Sequence, residues 1–481
     1  MAPHRGRSRY DPWGRLLSAA PRRRRAQRGP LRCVVHRRHQ PRTPTGETLG
    51  TMLPEGMHRI RVLFADQFGF ARGKYVPAAA ITGEVGFSVT IFGVGYDRDL
   101  IPAPGAEVLE GMGDLAARYS PDDVRPSWDA GTGVVIADLE RLGQPLAISS
   151  RLAAQRAIEA LAAVTGGTPK IGVELEAYVL QPDGSGGWEP WDTPGAYCYG
   201  TGTVVDPVGL FDDILAAAET CGIGIETAGS EYDNPQFEVV VGYGDALDAL
   251  DRAFLLKQLC REVALRHGLL LTFLGRPFQD RGGNGTHFHL SVTGDDGRNL
   301  FDDPGSDDGL SDMAKCAIAG VLAHHEALTA LCAPTVNAYK RLKPGELAGY
   351  WANWGYDHRS VAVRVPSGRG AASRLEHRLP DGAANLYLSA AAMMAAARLG
   401  IEAGDPPPAA ETGDSLETAN TERCCPENLS LALDALEADE ALYEAVGTEI
   451  TDHFVAMKRA EWARYARAVT DWELREYLAF H

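Results

Sequence analysis

The sequence predicts an α+β protein with a small N-terminal domain at residues 52–147 and a large C-terminal domain at residues 148–481. Two observations support this division. Short strand-like runs dominate the first region, whereas strands and long helices alternate in the second. Apolar residues make up 45% of the chain and charged residues 23%, which is typical of globular proteins.

The N-terminal domain begins with a predicted β-hairpin. The segment HRIRVLFADQFGFARGKYVP (58–77) contains two apolar-rich runs separated by DQFG, as expected for two strands joined by a turn. Further strand-like runs are GFSVTIFGV (86–94) and GTGVVIADLE (131–140). Together these runs predict a small α+β unit that ends near residue 147.

Helices are predicted throughout the C-terminal domain. SSRLAAQRAIEALAAVTGG (149–167) has serine at its start and glycine at its end, which are the preferred N-cap and C-cap residues. Apolar periodicity predicts further helices at 209–221, 245–267, 311–332, 384–400 and, with breaks, 428–478. The segment 402–420 is rich in proline, glycine and acidic residues, which predicts a surface loop.

Five candidate strands combine one apolar face with one polar or charged face. Side chains alternate along a strand, so in GTHFHLSV the histidines lie opposite Phe288, Leu290 and Val292. The polar faces hold Glu174 and Glu176; Gln236 and Glu238; His287, His289 and Ser291; Arg364; and Arg374, Glu376 and Arg378. A solvent-facing sheet explains any single strand of this kind. The joint set, rich in Glu, His and Arg and nearly free of Lys, instead predicts one shared site.

The residue types at this site indicate metal and phosphate chemistry. Neighbouring carboxylates such as Glu174 and Glu176 repel each other unless a cation neutralises them. Oxygen-rich ligands with a single imidazole suit Mg²⁺ or Mn²⁺ better than Zn²⁺. The arginines predict bound anions, such as phosphate or a carboxylate. The sequence has no Walker A motif and no convincing GxGxxG turn, so we expect any nucleotide to bind on this curved sheet.

The distribution of charge along the chain indicates which class of partner the protein binds. The net charge is −17, but residues 1–51 contain 13 arginines and only two acidic residues, so the remainder carries −28. An acidic body argues against nucleic acid as a partner. The Arg-rich head 1–51 lacks the apolar segment of a secretory signal. We expect it to be disordered and to precede a true start at Met52 or Met57; a transit peptide or a basic arm are the alternatives.

The chain is predicted to act in the cytoplasm. Its eight scattered cysteines include no CxxC pair, which is consistent with a reducing compartment. No run approaches the ~18 consecutive apolar residues of a membrane span.

Six ordered segments resemble motifs of the glutamine synthetase family, and the resemblance extends from about residue 58 to 478. The segments are IGVELEAYVL (171–180), GSEYDNPQFEVVV (229–241), RPFQDRGGNGTHFHLSV (276–292), NAYKRLKPG (337–345), YDHRSVAVRVP (356–366) and RLEHRLPDGAANLYL (374–388). The resemblance implies a β-grasp-like N-terminal domain and a catalytic domain built on a curved antiparallel half-barrel sheet. It also implies a homo-oligomer, commonly a double ring, in which one subunit's N-terminal domain completes its neighbour's site.

The resemblance also implies a reaction and a role for each site residue. In the family, the γ-carboxylate of L-glutamate attacks the γ-phosphate of ATP, and an amine then displaces phosphate from the acyl phosphate. One Mg²⁺ or Mn²⁺ would be bound by Glu176, Glu231 and Glu238, and the second by Glu174, His287 and Glu376. His289, Ser291 and Arg374 would contact the nucleotide; Gly283, Arg341 and Arg378 the glutamate; and Arg359 and Arg364 the transferring phosphate.

The sequence departs from the family at the amine site. The family's ammonium-binding glutamate follows the loop arginine by six positions, where this chain has Leu347; Glu346 is one position earlier and is the alternative candidate. The family's aspartate in the N-terminal domain has no counterpart in EVGFSVTI (84–91). The aromatic residues Tyr350, Trp351 and Trp354 either form a pocket for a larger amine or pack in the core.

These departures favour a γ-glutamyl-amine ligase that uses an organic amine. A true glutamine synthetase that uses ammonia is the first alternative, and an inactive ring-forming structural or regulatory homologue is the second. A guanidino kinase is disfavoured because it would lack the six-ligand set for two metals.

Overall fold

The computed structural model describes residues 56–481, so the Arg-rich head and the proposed start at Met52 lie outside the described residues. The predicted hairpin is confirmed as β1 (Arg59–Ala65) and antiparallel β2 (Ala71–Pro77). Asp66 shapes the turn between them, because its Oδ1 accepts hydrogen bonds from the backbone N–H groups of Phe68 and Phe70, both at 2.9 Å.

Two small sheets are formed by the residues before the first helix. Their remaining strands are β3 (Glu84–Ser88), β4 (Asp114–Arg118), β5 (Arg125–Pro126), β6 (Thr132–Ile136), β7 (Asp138–Arg141) and β8 (Gln144–Pro145). One sheet has the order β2–β1–β6–β5, and the other β3–β4–β7–β8. Strand β1 pairs with β6 in parallel, whereas the remaining pairs in these two sheets are antiparallel.

Two of the predicted strands in this region need correction. The run 131–140 is two strands, because the chain passes from one sheet to the other between Ile136 and Asp138. Val134 and Val135, on opposite faces, are both buried, so the pattern gives no local sign of the break. The run 86–94 forms a strand only to Ser88 and continues as a 3₁₀ turn at Val89–Gly93.

The largest sheet among the described residues carries the charged faces. Its strands are β9 (Gly167–Pro182), β10 (Trp188–Pro190), β11 (Ile225–Ser230), β12 (Gln236–Asp245), β13 (Leu270–Thr272), β14 (Thr286–Gly294), β15 (Trp354–Tyr356), β16 (Val363–Val365) and β17 (Leu375–His377). The main order is β11–β12–β9–β14–β17–β16–β15, with β10 and β13 also paired to β9. All pairs are antiparallel except β15–β16. The β-grasp and half-barrel descriptions stay predictions.

The predicted helices are present, with one additional break. They are α1 (Ser150–Thr165), α2 (Leu210–Thr220), α3 (Ala246–Arg266), α4 (Asp312–Ala323), α5 (His325–Cys332), α6 (Leu386–Ala403), α7 (Leu429–Ala438), α8 (Glu440–Val446), α9 (Thr448–Tyr465) and α10 (Asp471–Tyr477). Ser149 caps α1, and Gly166 ends it with a left-handed φ of 66°. The predicted helix 311–332 divides at His324, where the sequence has neither glycine nor proline.

Helix α6 lies in the main core, although its length and hydropathy would also suit a membrane span. Of its apolar stretch, 72% is buried inside the protein. It packs against α1 and α4, and Gly320 and Gly400 allow the close approach to α4: a Cβ on Gly320 would lie 2.1 Å from the Ala396 carbonyl oxygen. The helix therefore behaves as the core helix of a globular protein.

Candidate active site

The charged faces of the strands meet on one side of the large sheet. Strand register places His287 opposite Glu174, Glu238 opposite Glu176, and Glu376 opposite both His289 and Arg364. The alternate residues, such as Phe288, are buried in the main hydrophobic core. The predicted alternation is therefore confirmed, and the sheet brings residues from five separate segments together.

Glu174, His287 and Glu376 form the first group of possible metal ligands. One atom from each lies within 4.8 Å of the other two. Glu174 accepts hydrogen bonds from two imidazoles, at 3.0 Å from His287 Nδ1 and 2.8 Å from His289 Nε2. This trio is the set expected for one of the two predicted metals.

The second group contains Glu176, Glu238 and the same His287, with ligand atoms again within 4.8 Å of one another. The backbone N–H of Gly285 donates a 2.6 Å hydrogen bond to Glu176 Oε2 and orients that carboxylate. Glu231, predicted as a ligand here, lies outside this tight group. Its negative charge nevertheless helps to raise the pKa of Glu238, so Glu231 belongs to the same acidic cluster.

The electrostatics of the cluster favour a bound cation. Burial and the charges of Glu174, Glu176 and Glu231 raise the pKa of Glu238 to about 8. Burial and Glu176 likewise raise the pKa of Glu231. Burial also acts to raise the pKa of Glu174, but the hydrogen bonds with His287 and His289 outweigh it and hold that pKa well below its usual range. Several carboxylates and an imidazole around a common space fit Mg²⁺ or Mn²⁺.

Binding of Mn²⁺ at pH 7 is expected to release about one proton per chain, because a carboxylate ligand must be deprotonated and Glu238 is largely protonated below a pKa of about 8. Metal affinity should therefore increase as the pH rises towards 8. Calorimetric titration in buffers of different ionisation enthalpy measures the released proton. Glu238→Gln should remove it, whereas Glu189→Gln, on the exposed strand β10, should keep it; metal binding without proton release would contradict the prediction.

Two arginines converge on Glu376 from neighbouring positions. Arg364 Nη1 donates a 2.8 Å hydrogen bond to Glu376 Oε2, and Arg378 pairs with the other carboxylate oxygen. Burial acts to raise the pKa of Glu376, but the positive charges of Arg378 and His287 outweigh burial, so the net shift of this pKa is downward. Arg359 is exposed, and its charge acts on Glu231 and Glu238 across the cleft. The predicted phosphate and substrate arginines thus surround the carboxylate cluster.

The glycine-rich turn before β14 lets the backbone approach these groups closely. A Cβ on Gly283 would lie 2.7 Å from Arg341 Cγ, and a Cβ on Gly285 would lie 2.7 Å from His287 Nε2. Arg341 is buried beneath the turn and donates to the carbonyl oxygens of Leu379 and Arg378, at 2.9 and 3.2 Å. Larger residues at these glycines would displace the side chains of the site.

A cavity of about 490 Å³ opens beside the first ligand group. Its lining includes Glu174, His289, Ser291 and Arg374, and Arg374 Nε donates a 3.1 Å hydrogen bond to His289 Nδ1. The three residues predicted to contact nucleotide therefore share one cavity. Its volume lies in the range of small-molecule and cofactor sites.

The structure pairs Glu346 with an arginine and favours the packed alternative for the two tryptophans. Glu346 Oε1 accepts a 2.6 Å hydrogen bond from Arg276 Nη1, so its charge is already paired, while Leu347 is half exposed. Trp354 is buried, with its indole N–H bonded to the Pro408 carbonyl oxygen, and the indole N–H of Trp351 is bonded to that of Leu416. Both tryptophans are therefore held by backbone carbonyl groups within the protein and do not line an open pocket.

One contributor, Asp357, was not anticipated from the sequence, and Gln236 was placed on a polar strand face but given no role. Asp357, with a left-handed φ of 47°, accepts a 2.5 Å hydrogen bond from Arg364 Nη2 and so shares this arginine with Glu376. Gln236 Nε2 donates to the Gly283 carbonyl oxygen and to Asn284 Oδ1, at 2.9 and 3.0 Å, and anchors the glycine turn. The position of Gln236 on the polar strand face was a usable signal, whereas nothing in the local pattern marks Asp357.

Comparisons with known proteins agree with this geometry. The family model described as "Glutamine synthetase, catalytic domain" matches residues 147–477. The chain is 33% identical over 447 residues to the glutamate–methylamine ligase of Methyloversatilis universalis, covering 88% of this chain and 96% of the relative. It is 36% identical over 318 residues to the glutamine synthetase of Methanocaldococcus jannaschii, covering 64% and 70%.

A solved structure of apo GmaS without ligand has a similar fold, with a TM-score of 0.77 and 35% identity over 88% of this chain and 97% of that one. The matched region contains all the carboxylates, histidines and arginines of the cluster. The chain therefore belongs to the glutamine synthetase family, whose members are ligases that use ATP and divalent metals.

Proposed function

We propose that this protein ligates an organic amine to the γ-carboxylate of L-glutamate, with ATP and two Mg²⁺ or Mn²⁺ ions per site. The observation that supports this most directly is the pair of ligand groups that share His287, next to arginines and a nucleotide-sized cavity. Glu176, Glu231 and Glu238 would hold one ion, and Glu174, His287 and Glu376 the other. The bound ions would offset the negative charge of the triphosphate and the glutamate.

The protein's own side chains would orient the reacting groups. Arg341, Arg378 and the backbone at Gly283 would hold the glutamate, and His289, Ser291 and Arg374 the nucleotide. Arg359 and Arg364 would stabilise charge on the transferring phosphoryl group, where preorganised donors act most strongly in the transition state. The γ-carboxylate oxygen would bond to the γ-phosphorus of ATP as ADP leaves, which forms γ-glutamyl phosphate. The amine nitrogen would then bond to the carbonyl carbon and lose a proton as phosphate leaves.

Two observations favour an organic amine over ammonia. The carboxylate of Glu346 is paired with Arg276, and the position of the family's ammonium-binding glutamate holds the apolar Leu347. An ammonium ion would therefore find no free carboxylate there, whereas an alkyl amine gains about 0.8 kcal/mol for each methylene it buries. The similarity to a glutamate–methylamine ligase points the same way. Ammonia remains the second candidate, because Glu346 lies next to the expected position.

The remaining proposals concern the assembly and its location. We propose that residues 52–147 and 148–481 form two domains, and that the chain assembles into a homo-oligomeric double ring in the cytoplasm. The net charge of −17 supports small-molecule substrates rather than nucleic acid as partners.

Phosphate release with L-glutamate, ATP and Mg²⁺ is expected to be faster with an organic amine than with ammonium, by at least about tenfold in kcat/KM, which corresponds to about 1.4 kcal/mol. Ammonium, methylamine, ethanolamine, putrescine, spermine and aniline should be compared side by side. Mass spectrometry of the γ-glutamyl product identifies the amine that was incorporated. Equal or better turnover with ammonium would establish a glutamine synthetase instead.

The variant Leu347→Glu tests the physical reason for this preference. It should improve kcat/KM for ammonium by roughly tenfold, because it adds an unpaired carboxylate that attracts the cation. Leu347→Gln is the matched control, with the same shape and no charge, and should leave the ammonium reaction unchanged.

A further inference from the structure

A second cavity, of about 400 Å³, lies between the hairpin turn after β1, helix α3 and strand β13. None of its lining residues belongs to the cavity beside the carboxylate cluster. It is therefore a separate space, and the proposed ligase reaction assigns no role to it.

The walls of this cavity are mainly aromatic. The Phe68 and Tyr96 rings stack with centroids 4.2 Å apart, and Phe70 meets Tyr96 edge-on at 5.9 Å. Phe254 on α3 and Phe273 after β13 also line the cavity. Phe70 and Tyr96 remain about 40% exposed at the mouth. Such surfaces favour a ligand with a flat apolar ring, which can pack edge-on or offset against them.

Two cationic side chains enter the same cavity from one face of α3. Lys257 and Arg261 are four residues apart, so they lie on adjacent turns of the helix. Lys257 Nζ donates a 2.7 Å hydrogen bond to the Gly382 carbonyl oxygen and lies 4.9 Å from the Phe273 ring centroid. Within residues 56–481, neither Lys257 nor Arg261 forms an ion pair.

The lining residues do not neutralise these two charges. Glu461 is the acidic residue among them, and it is paired at 2.8 Å with Lys458 Nζ, which lies beneath Phe68 and Tyr96. The Lys257 ammonium, which is partly buried among apolar groups, attracts an anion more strongly than it would in water. The exposed Arg261 guanidinium adds a second positive charge. Outside the lining, the buried Asp381 carboxylate also acts on Lys257, but burial and the charge of Arg261 outweigh it and lower the pKa of Lys257 to about 8. The lining itself therefore offers no unpaired negative charge to Lys257 and Arg261.

We propose that this cavity is a binding site for a small carboxylate that carries an aromatic ring. The carboxylate would accept hydrogen bonds from Lys257 and Arg261, and the ring would pack between the Phe68–Tyr96 pair and Phe273. The volume is sufficient for a ligand of this size. This site would operate independently of the amine that the catalytic site uses.

Calorimetric titration of the intact protein with 3-phenylpropionate tests the proposal. Saturating L-glutamate is present throughout, so that the probe cannot bind through the carboxylate subsite of the catalytic cleft. We expect saturable binding with one probe per chain, about tenfold tighter than binding of the uncharged 3-phenylpropan-1-ol, because a charge-assisted hydrogen bond is lost in the alcohol. Equal affinity for the two probes, or no binding of the carboxylate, would overturn the proposal.

Substitutions locate the binding event. Lys257→Met and Arg261→Gln should each weaken 3-phenylpropionate about tenfold by removing one cationic donor, and Ala71→Trp should block binding by filling the cavity from the hairpin side. Arg156→Gln, on the exposed face of α1, is the matched control and should leave the affinity unchanged. Arg261 is exposed, so its variant should retain the thermal stability of the native protein. Binding unaffected by both Arg261→Gln and Ala71→Trp would place the probe elsewhere and refute the site.

Discussion

Replacing Glu176 by glutamine is expected to reduce glutamate-dependent phosphate release by about 10²–10³-fold, the typical loss when one preorganised charge contact is removed from a transition state. Glutamine keeps the size of the side chain and an oxygen that can accept the hydrogen bond from Gly285 N–H. It removes the negative charge from the group that contains Glu238 and His287. The variant therefore separates the loss of metal binding from a change of shape.

A metal titration gives this prediction a second readout. The number of bound Mn²⁺ ions, followed by electron paramagnetic resonance, should fall from two per chain to one. Thermal stability without metal should be equal or higher, because the charge of Glu176 raises the pKa of both Glu231 and Glu238 and its removal relieves that repulsion. Glu189→Gln serves as the matched control. Unchanged activity and stoichiometry would show that the metal assignment is wrong.

The second large effect is expected at Arg364. Its guanidinium spans two acids, with Nη1 2.8 Å from Glu376 Oε2 and Nη2 2.5 Å from Asp357 Oδ1. Lysine keeps the charge but offers a single point donor, which cannot bridge both carboxylates. Arg364→Lys should therefore lower kcat by about 10²–10³-fold, while KM for L-glutamate changes little, because Arg341 and Arg378 are the proposed contacts to that substrate.

Asp357 offers a graded version of the same test. Asp357→Asn leaves Arg364 in place but weakens one of its two anchors, so its kcat should fall between that of the native protein and that of Arg364→Lys. The exposed Arg298, which pairs with the nearby Asp296, provides the control Arg298→Lys. If Arg364→Lys kept the native kcat, Arg364 would have no role in phosphoryl transfer.

Activity of the native protein would in turn exclude the alternative of an inactive, purely structural homologue.

The secondary structure and the polar strand faces were readable from the sequence because both depend on neighbouring residues. Alternation with a period of two placed Glu174, Glu176, His287, His289 and Glu376 opposite buried apolar residues, and the structure confirms this. The caps of α1, at Ser149 and Gly166, were equally local signals. The composition of the faces was also sufficient to indicate a divalent metal and an anionic substrate.

Features that depend on contacts between distant segments were decided only by the tertiary structure. The pairing of Arg276 with Glu346 joins residues 70 positions apart, and it changes Glu346 from a free carboxylate into a neutralised one. The chain passes between two sheets near Ala137, and because both faces of the run before it are buried, periodicity alone does not reveal the break. The aromatic cavity under the hairpin likewise requires α3 and β13 to pack beside residues 68–71. Sequence determined which chemical groups this protein can present, whereas strand register and packing determined which of those groups meet, because only they set the distances across which charges and hydrogen bonds act.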